Sequence, residues 1–113
     1  MFEINDYRGS NNRAYYAIFH AINAVHALDE CSYKKHKDAL ANFNKNYVRT
    51  EIFDKDLGKQ ISKAQVIRHA SDYDDFYIAT SAEAMNQIEV ACRFIEAVEK
   101  YCIKRIEKET NEE

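Results

Sequence analysis

Proline is absent from this chain of 113 residues, and glycine occurs only twice, as Gly9 and Gly58. Tight turns between β-strands depend on these residue types, because they reach backbone angles that other residues avoid. A β-rich fold of this length would need many such turns, whereas a few long helices need almost none. Since 46% of the residues are hydrophobic, the chain can also bury one core. The sequence therefore predicts a single all-α domain over residues 1–113.

Apolar periodicity predicts about four helices, joined as an antiparallel up-and-down bundle. The first runs from about Ser10 to Leu28 and is apolar nearly all round, so we expect it at the centre of the bundle. The second covers residues 36–47, and a loop over residues 30–35 precedes it. The third covers residues 55–69, and the fourth runs from residue 81 to about residue 108.

Local capping patterns mark two of the helix starts. Asp54 is the expected N-cap of the third helix. Thr80 and Glu83 have the spacing of a capping box before the fourth helix. Residues 1–8 and 109–113 are expected to fray. The expected buried seam of the fourth helix consists of Met85, Ile88, Ala91, Ile95, Val98 and Cys102.

The cysteine pattern indicates the compartment. Cys31, Cys92 and Cys102 are odd in number and form no C-x-x-C pair, which predicts reduced thiols rather than a disulfide framework or a zinc site. No apolar run approaches the roughly 20 residues that cross a bilayer. The start of the chain lacks the pattern of a signal peptide. We expect a cytoplasmic protein without a membrane segment.

Patterns of metal ligands are missing from the sequence. Neither Glu-x-x-His nor H-E-x-x-H occurs. Asp72, Asp74 and Glu83 stand at calcium-loop positions, but Phe76 and Tyr77 occupy positions where the loop needs a ligand and a glycine. We therefore expect no metal and no cofactor.

The net charge of −3 conceals an uneven distribution. Residues 34–69 carry nine basic and four acidic groups, whereas residues 70–113 carry five and eleven. Lys55, Lys59 and Lys63 follow one another at helical spacing as a basic stripe. They are candidate RNA-binding residues, because clustered cations attract phosphate. The alternative is an ordinary solvated helix face, or a face neutralised by the acidic end of a neighbouring subunit.

A first candidate catalytic pair is Arg13 and His20, seven residues apart on one face of the first helix. Tyr16 and Asn23 share that face, and we expect these polar groups to need hydrogen-bond partners. His20 could move a proton while Arg13 stabilises negative charge on a phosphorane, which would cleave RNA without a metal. The alternative is that Arg13 pairs with a carboxylate of another helix and His20 is a hydrogen-bonded core residue.

The second candidate constellation is Arg68, His69, Asp72 and Tyr73, where the third helix runs into an acidic, aromatic segment. Arg68 would hold phosphate, Asp72 would orient Arg68, and Tyr73 would stack on a base or donate a hydrogen bond. His69 is adjacent to Arg68 and projects about 100° away from it on a helix. The alternative is a structural clasp, in which Arg68 bonds Asp72 or Asp75 and the following aromatic residues cover the end of the bundle.

Several segments taken together resemble HEPN domains, the higher eukaryotes and prokaryotes nucleotide-binding domains. The most specific strings are RAYYAIFHA (residues 13–21) and RHASDYDDF (residues 68–76). The resemblance implies a small helical bundle that dimerises and has an RNA-related function. Many relatives are metal-independent ribonucleases that act as toxins restrained by a minimal nucleotidyltransferase. Others are non-catalytic binding or assembly modules.

The ribonucleases of this family carry an R-x4-6-H motif at a dimer cleft. Arg68 matches the arginine of that motif, but Tyr73, Asp74 and Asp75 stand where its histidine would be. Arg13 and His20 have the required spacing in an earlier helix. The two hypotheses are an RNA-acting component of a toxin–antitoxin or nucleotidyltransferase-linked system and a non-catalytic interaction module.

Relatives in this family have an additional helix before the segment that begins at about Asp6, and only five residues precede Asp6 here. The resemblance therefore implies that this first family helix is absent. Without it, one face of the central helix would be exposed and would form the interface of an obligate homodimer. The residues of that face are Tyr15, Ile18, Ile22 and Val25.

Overall fold

The structure, a computed structural model, describes residues 6–29, 35–74 and 76–111. All regular elements in these ranges are helical, which confirms the all-α bundle of four helices. One π-helical turn continues the second helix. No helix of the described ranges is long and apolar enough to span a bilayer. The elements are α1 (Tyr7–Leu28), α2 (His36–Phe43), the π-helical turn (Asn44–Val48), α3 (Lys55–Tyr73) and α4 (Ser81–Asn111).

The start of α1 lies three residues before the predicted position, because Asp6 caps it. The Asp6 Oδ1 atom accepts a hydrogen bond of 2.9 Å from the backbone N–H of Gly9. A Cβ atom at Gly9 would stand 2.3 Å from Asp6 Oδ2. Glycine at this position therefore lets the carboxylate fold back over the first turn. Tyr7 and Arg8 consequently belong to the helix, as residues 109–111 belong to α4.

Helix α1 is the centre of the bundle and packs against α4, α3 and α2. Its apolar residues Tyr15, Ile18, Ile22 and Val25 are all at most 2% exposed. The prediction that this face is open for a dimer interface is therefore wrong. The other helices of the same chain bury it.

An aromatic cluster fills the half of the core near the C-terminal end of α1. The ring centroid of Phe43 lies 5.3 Å from those of Tyr47 and Phe53 and 5.6 Å from that of Phe94. Tyr47 reaches this cluster from the π-helical turn, where the predicted helix over residues 36–47 widens. The backbone N–H of Phe53 donates a 2.8 Å hydrogen bond to the Tyr47 carbonyl and closes the following turn.

Helix α3 begins as predicted, with Asp54 Oδ1 accepting a 3.1 Å hydrogen bond from the N–H of Asp56. Gly58 lies where α3 comes closest to the π-helical turn. A Cβ atom there would be 2.8 Å from Cγ1 of the buried Val48. Glycine costs about 1 kcal/mol of helix propensity relative to alanine. It is nevertheless favoured here, because it lets α3 pack closely against the π-helical turn.

Helix α4 begins at its predicted cap, since the N–H of Glu83 donates a 3.1 Å hydrogen bond to Thr80 Oγ1. Its predicted buried seam is partly wrong. Met85, Ile88 and Ile95 are 59%, 41% and 40% exposed. The helix is apolar on two adjacent faces, and the face that α1 buries lies beside the predicted one. The buried residues of α4 are Ala84, Gln87, Val90, Ala91, Phe94 and Val98.

A polar cluster ties the end of α1 to α4. The Asp29 carboxylate accepts hydrogen bonds from Arg105 and from the hydroxyl of Tyr47. Arg105 also donates a 2.8 Å hydrogen bond to the hydroxyl of Tyr101. The bonds from Arg105 and Tyr47 hold the pKa of Asp29 below its ordinary value of 3.8.

This cluster predicts an acid-sensitive contribution to stability. Because the pKa of Asp29 is lower in the folded state than in the unfolded state, its stabilisation is present above about pH 4 and is lost as the pH falls through the folded-state pKa. Asp29→Asn should lower the free energy of unfolding by about 1–2 kcal/mol at neutral pH. Urea denaturation should show this difference shrinking as the pH falls below about 4.

Glu89→Gln is the matched control, because Glu89 forms only an exposed 3.8 Å ion pair with Arg93. It should change the free energy of unfolding by less than about 0.5 kcal/mol. If the free energy of unfolding of Asp29→Asn stays below that of the wild type by the same amount from neutral to acidic pH, the lowered pKa of Asp29 is not the source of the stabilisation.

Candidate functional site

Arg68 lies in the last two turns of α3, which continues four residues beyond its predicted end. The extension makes Arg68 and Asp72 an i,i+4 pair on one helix face. Arg68 Nε is 3.3 Å from Asp72 Oδ2, and the two side chains are 21% and 30% exposed. The Nε–H group is not aligned for a hydrogen bond to that carboxylate. The contact is therefore an ion pair, and it holds the guanidinium beside the Asp72 carboxylate.

Three tyrosine rings surround the Arg68 guanidinium. Its carbon atom lies 5.5 Å from the ring centroids of Tyr15 and Tyr16 and 5.9 Å from that of Tyr73. The Nη2 group donates a 3.0 Å hydrogen bond to the hydroxyl of Tyr16. Burial by itself lowers the pKa of Arg68, but the Tyr16 hydrogen bond and the nearby Asp72 outweigh it, so the net shift is upward. The guanidinium is a permanently charged group in a fixed position.

The Arg68 cleft, a cavity of about 440 Å³, opens beside this guanidinium. His69 and Arg68 both line it, although adjacent helical residues were expected to diverge. The His69 ring lies 4.9 Å from that of Tyr73, which is 67% exposed. The structure thus brings together all four predicted residues of the second constellation. The lining residues are Tyr15, Gln65, Val66, Arg68, His69, Ala70 and Asp74.

The clasp interpretation is partly right. The Arg68–Asp72 pair exists, and the hydroxyl of Tyr77 donates to the Glu83 carboxylate. Burial, followed by that hydrogen bond, raises the pKa of Tyr77 to about 12. However, Phe76 is 93% exposed, so the aromatic segment does not cover the end of the bundle. Asp75 lies outside the described residues.

Arg8 and Asn11 hold the end of α3 through hydrogen bonds. Neither residue was predicted from the sequence to belong to the site. Arg8 Nη1 donates a 3.3 Å hydrogen bond to the Ser71 carbonyl. Its Nη2 group donates to the carbonyls of Asp74, at 2.9 Å, and of Tyr77. More than 60 residues separate these partners along the chain, so no local pattern could indicate the contact.

Asn11 is 1% exposed and joins three helices. Its Nδ2 group donates hydrogen bonds to Ser71 Oγ at 3.4 Å and to Glu83 Oε1 at 3.0 Å. The Glu83 carboxylate therefore accepts hydrogen bonds from Asn11 and Tyr77, while the Glu83 backbone N–H donates to Thr80 Oγ1. This network connects the start of α1 to the end of α3 and the start of α4.

Arg13 and His20 are both exposed on α1, so His20 is not a core residue. Arg13 lines a groove of about 370 Å³ between α1 and α4 and forms no ion pair within the described part of the chain. Tyr16 lies between them on the same face and accepts the bond from Arg68. The first pair therefore borders the Arg68 site, but the structure shows no contact that joins Arg13 and His20.

The basic stripe is exposed along α3. Lys55 and Lys59 line a separate cavity together with Arg49, whereas Lys63 lies outside that lining. Over residues 6–29, 35–74 and 76–111, no group of three His, Cys, Asp or Glu residues is placed to hold a metal ion.

Comparison with known proteins identifies relatives. The model of the HEPN domain family matches residues 1–101. A UPF0332 protein of Thermotoga maritima is 33% identical over 89 residues, which cover 79% of this chain and 67% of that protein. No solved structure gives a significant match.

Two proteins of Methanocaldococcus jannaschii, each named a putative toxin, are also similar. One is 30% identical over 94 residues, covering 83% of this chain and 64% of the relative. The other is 31% identical over 100 residues, covering 88% of this chain and 74% of the relative. The matched region thus spans about two thirds to three quarters of the length of these relatives.

Proposed function

Since the chain belongs to the HEPN domain family, we propose that it is an RNA-acting component of a toxin–antitoxin system and that the Arg68 cleft receives an RNA phosphate. The observation that carries the proposal is the placement of Arg68. Tyrosine rings and Asp72 fix its guanidinium at the wall of an open cleft. The names of the two archaeal relatives support the toxin role.

Donors remain on Arg68 for a phosphate. A guanidinium has five N–H groups in a planar fork, which suits phosphate oxygens. Among the described residues, its hydrogen bond uses Nη2 and its ion pair uses Nε. The Nη1 group is therefore available to an anion in the cleft. The exposed Tyr73 ring offers a stacking surface for an unpaired base next to that phosphate.

His69 gives the cleft a group for proton transfer. In metal-independent cleavage, an imidazole nitrogen would take the proton of a ribose 2′-hydroxyl, and the 2′-oxygen would then attack phosphorus. The products are a 2′,3′-cyclic phosphate and a 5′-hydroxyl, whose oxygen takes up a proton. Arg68 would stabilise the charge on the phosphorane. The geometry thus supports strand cleavage in addition to binding.

A partner protein is part of this proposal. Because the family resemblance links such toxins to minimal nucleotidyltransferases, we propose an antitoxin of that class as the protein that restrains this chain. The charged, aromatic rim formed by Arg68, His69 and Tyr73 is the surface that such a partner would need to block.

The first test is RNA binding and cleavage by purified variants. Arg68→Ala should weaken binding of a single-stranded oligoribonucleotide about 10- to 100-fold, because a charge-assisted hydrogen bond to phosphate is lost. Arg93→Ala is the control, since Arg93 is an exposed arginine of α4 with only a weak ion pair. Melting temperatures of both variants verify that they fold.

His69→Ala separates catalysis from binding. Loss of cleavage with binding retained would assign His69 to proton transfer. Binding without cleavage by the wild type would favour the non-catalytic module. If Arg68→Ala binds RNA as tightly as the wild type, or if Arg93→Ala causes an equal loss, the Arg68 cleft is not the RNA site.

We also propose that the protein is a homodimer that pairs through α4. The exposed residues Met85, Ile88, Cys92 and Ile95 follow one another at spacings of three, four and three residues. This is the spacing of a coiled-coil seam. The stripe borders the α1–α4 groove, whose α1 side is formed by Ser10, Arg13, Ala14 and Ala17. Exposed contiguous apolar surface of this kind marks interfaces.

Ile95→Glu should convert the dimer into a monomer, because a carboxylate would be buried in the apolar seam. Light scattering after gel filtration measures the mass. The control is Ile52→Glu, since Ile52 is 48% exposed but lies in the turn before α3. A wild type that elutes as a monomer at micromolar concentration would refute the dimer.

A further inference from the structure

A second cavity, of about 290 Å³, lies where the first half of α3 meets the π-helical turn. We call it the cationic pocket, because three of its lining side chains are positively charged and none is negatively charged. Arg49 was not singled out by sequence, since it lies in the irregular turn before α3. The lining residues are Asn44, Val48, Arg49, Lys55, Gly58, Lys59 and Ser62.

No ion pair among the described residues neutralises the positive charge of the cationic pocket. Within the described ranges, Arg49, Lys55 and Lys59 take part in no ion pair. Three acids are close in sequence, and Glu51 forms no ion pair among the described residues. Asp54 caps α3, and Asp56 Oδ2 accepts a 3.1 Å hydrogen bond from the Gln60 side chain. Three like charges around one concave surface create a field that favours an anion.

Hydrogen-bond donors also line the pocket. Ser62, one turn beyond Gly58 on α3, adds a hydroxyl donor, and Asn44 adds an amide donor. Val48 fills the space beside Gly58, where a Cβ atom would lie 2.8 Å from its Cγ1. An anion in the pocket can therefore find hydrogen-bond donors as well as charge.

The cationic pocket and the Arg68 cleft lie along one face of α3. A narrow space of about 30 Å³ lies between them. It shares Gly58 and Ser62 with the cationic pocket, and it shares Gln65 with the Arg68 cleft. Successive residues along this path are three or four positions apart, as expected for one helix face.

We propose that the cationic pocket binds a second backbone phosphate of the same RNA, so that one single strand lies along α3 from Lys55 to His69. The inference rests on the proposed RNA function of the Arg68 cleft and extends it to a substrate class. A single strand fits because its unpaired bases can reach the exposed ring of Tyr73 at one end while the backbone follows the cations. We call this path along α3, from Lys55 to His69, the RNA track. Tyr73 and His69 lie at the end of the track near the Arg68 cleft, and the lysines lie at the other end.

The spacing of the two sites sets a minimum length for the ligand. Lys59 and Arg68 are nine residues apart on α3, which corresponds to about 14 Å along the helix axis. A dinucleotide can occupy the Arg68 cleft but cannot also fill the cationic pocket. An oligonucleotide of several residues reaches both, and its affinity should exceed that of the dinucleotide.

The experiment measures fluorescence anisotropy with labelled oligouridylates that carry 2′-O-methyl groups and cannot be cleaved. A dinucleotide is compared with a strand of about twelve nucleotides. The triple variant Arg49→Gln, Lys55→Gln, Lys59→Gln should bind the longer strand about tenfold more weakly or worse. The slope of log K against log salt should become shallower by about 0.7, because one phosphate contact is lost. Its affinity for the dinucleotide should equal that of the wild type.

Two controls match this variant. Lys100→Gln, Lys104→Gln, Lys108→Gln removes the same charge from exposed positions of α4 and should leave the longer strand bound within about twofold of the wild type. Lys63→Gln changes a lysine of α3 outside the pocket and should have less effect than Lys59→Gln.

The outcomes separate this proposal from the proposed function. If the longer strand binds, requires Arg68 and is indifferent to the pocket variant, the cationic pocket is not a phosphate site, although the Arg68 cleft is. If the α4 variant weakens binding as much as the pocket variant, only the overall charge matters and the track is wrong. If the wild type binds neither oligonucleotide, the proposed function itself fails.

Discussion

The hydrogen bonds from α1 to the end of α3 are the contact on which the candidate site depends. The last carbonyl groups of a helix have no partners inside the helix, and leaving a buried one unsatisfied costs about 1–3 kcal/mol. Arg8 supplies donors to the carbonyls of Ser71, Asp74 and Tyr77. Two turns later, Tyr15 and Tyr16 of the same helix enclose the Arg68 guanidinium. One rigid element thus fixes both the end of α3 and the charged group beside it.

Arg68 combines a structural role with the proposed binding role. Removing a guanidinium from water is costly unless other interactions replace the hydration, and here the tyrosine rings, the Tyr16 hydroxyl and the Asp72 carboxylate do so. The same contacts hold the group in one orientation before any ligand arrives, which reduces the entropy lost on binding. The clasp that sequence analysis set against a phosphate site is therefore the means by which such a site is positioned.

Patterns within one helix were predictable from sequence, and contacts between helices were not. The caps Asp54 and Thr80 and the central position of α1 follow from local residue types and from a helix that is apolar all round. The buried face of α4 was misplaced because Met85 and its apolar neighbours have the same period as the true core face, and only the position of α1 distinguishes them. Arg8 was missed because its partners lie more than 60 residues away. The four residues at the end of α3 were grouped by proximity in the chain, but the position of the Arg68 guanidinium beside the cleft depends on Tyr15 and Tyr16 of α1.

The central claim is that Arg68 presents a fixed guanidinium to an RNA phosphate, and nuclear magnetic resonance of arginine side chains tests it most directly. The Nε–H resonances of a ¹⁵N-labelled sample can be followed while an uncleavable oligoribonucleotide is added. Assignment by Arg68→Lys and Arg93→Lys variants identifies the two signals. The account predicts that the Arg68 resonance shifts with saturation while that of Arg93 stays in place. An Arg68 resonance that does not move while the RNA demonstrably binds would contradict it.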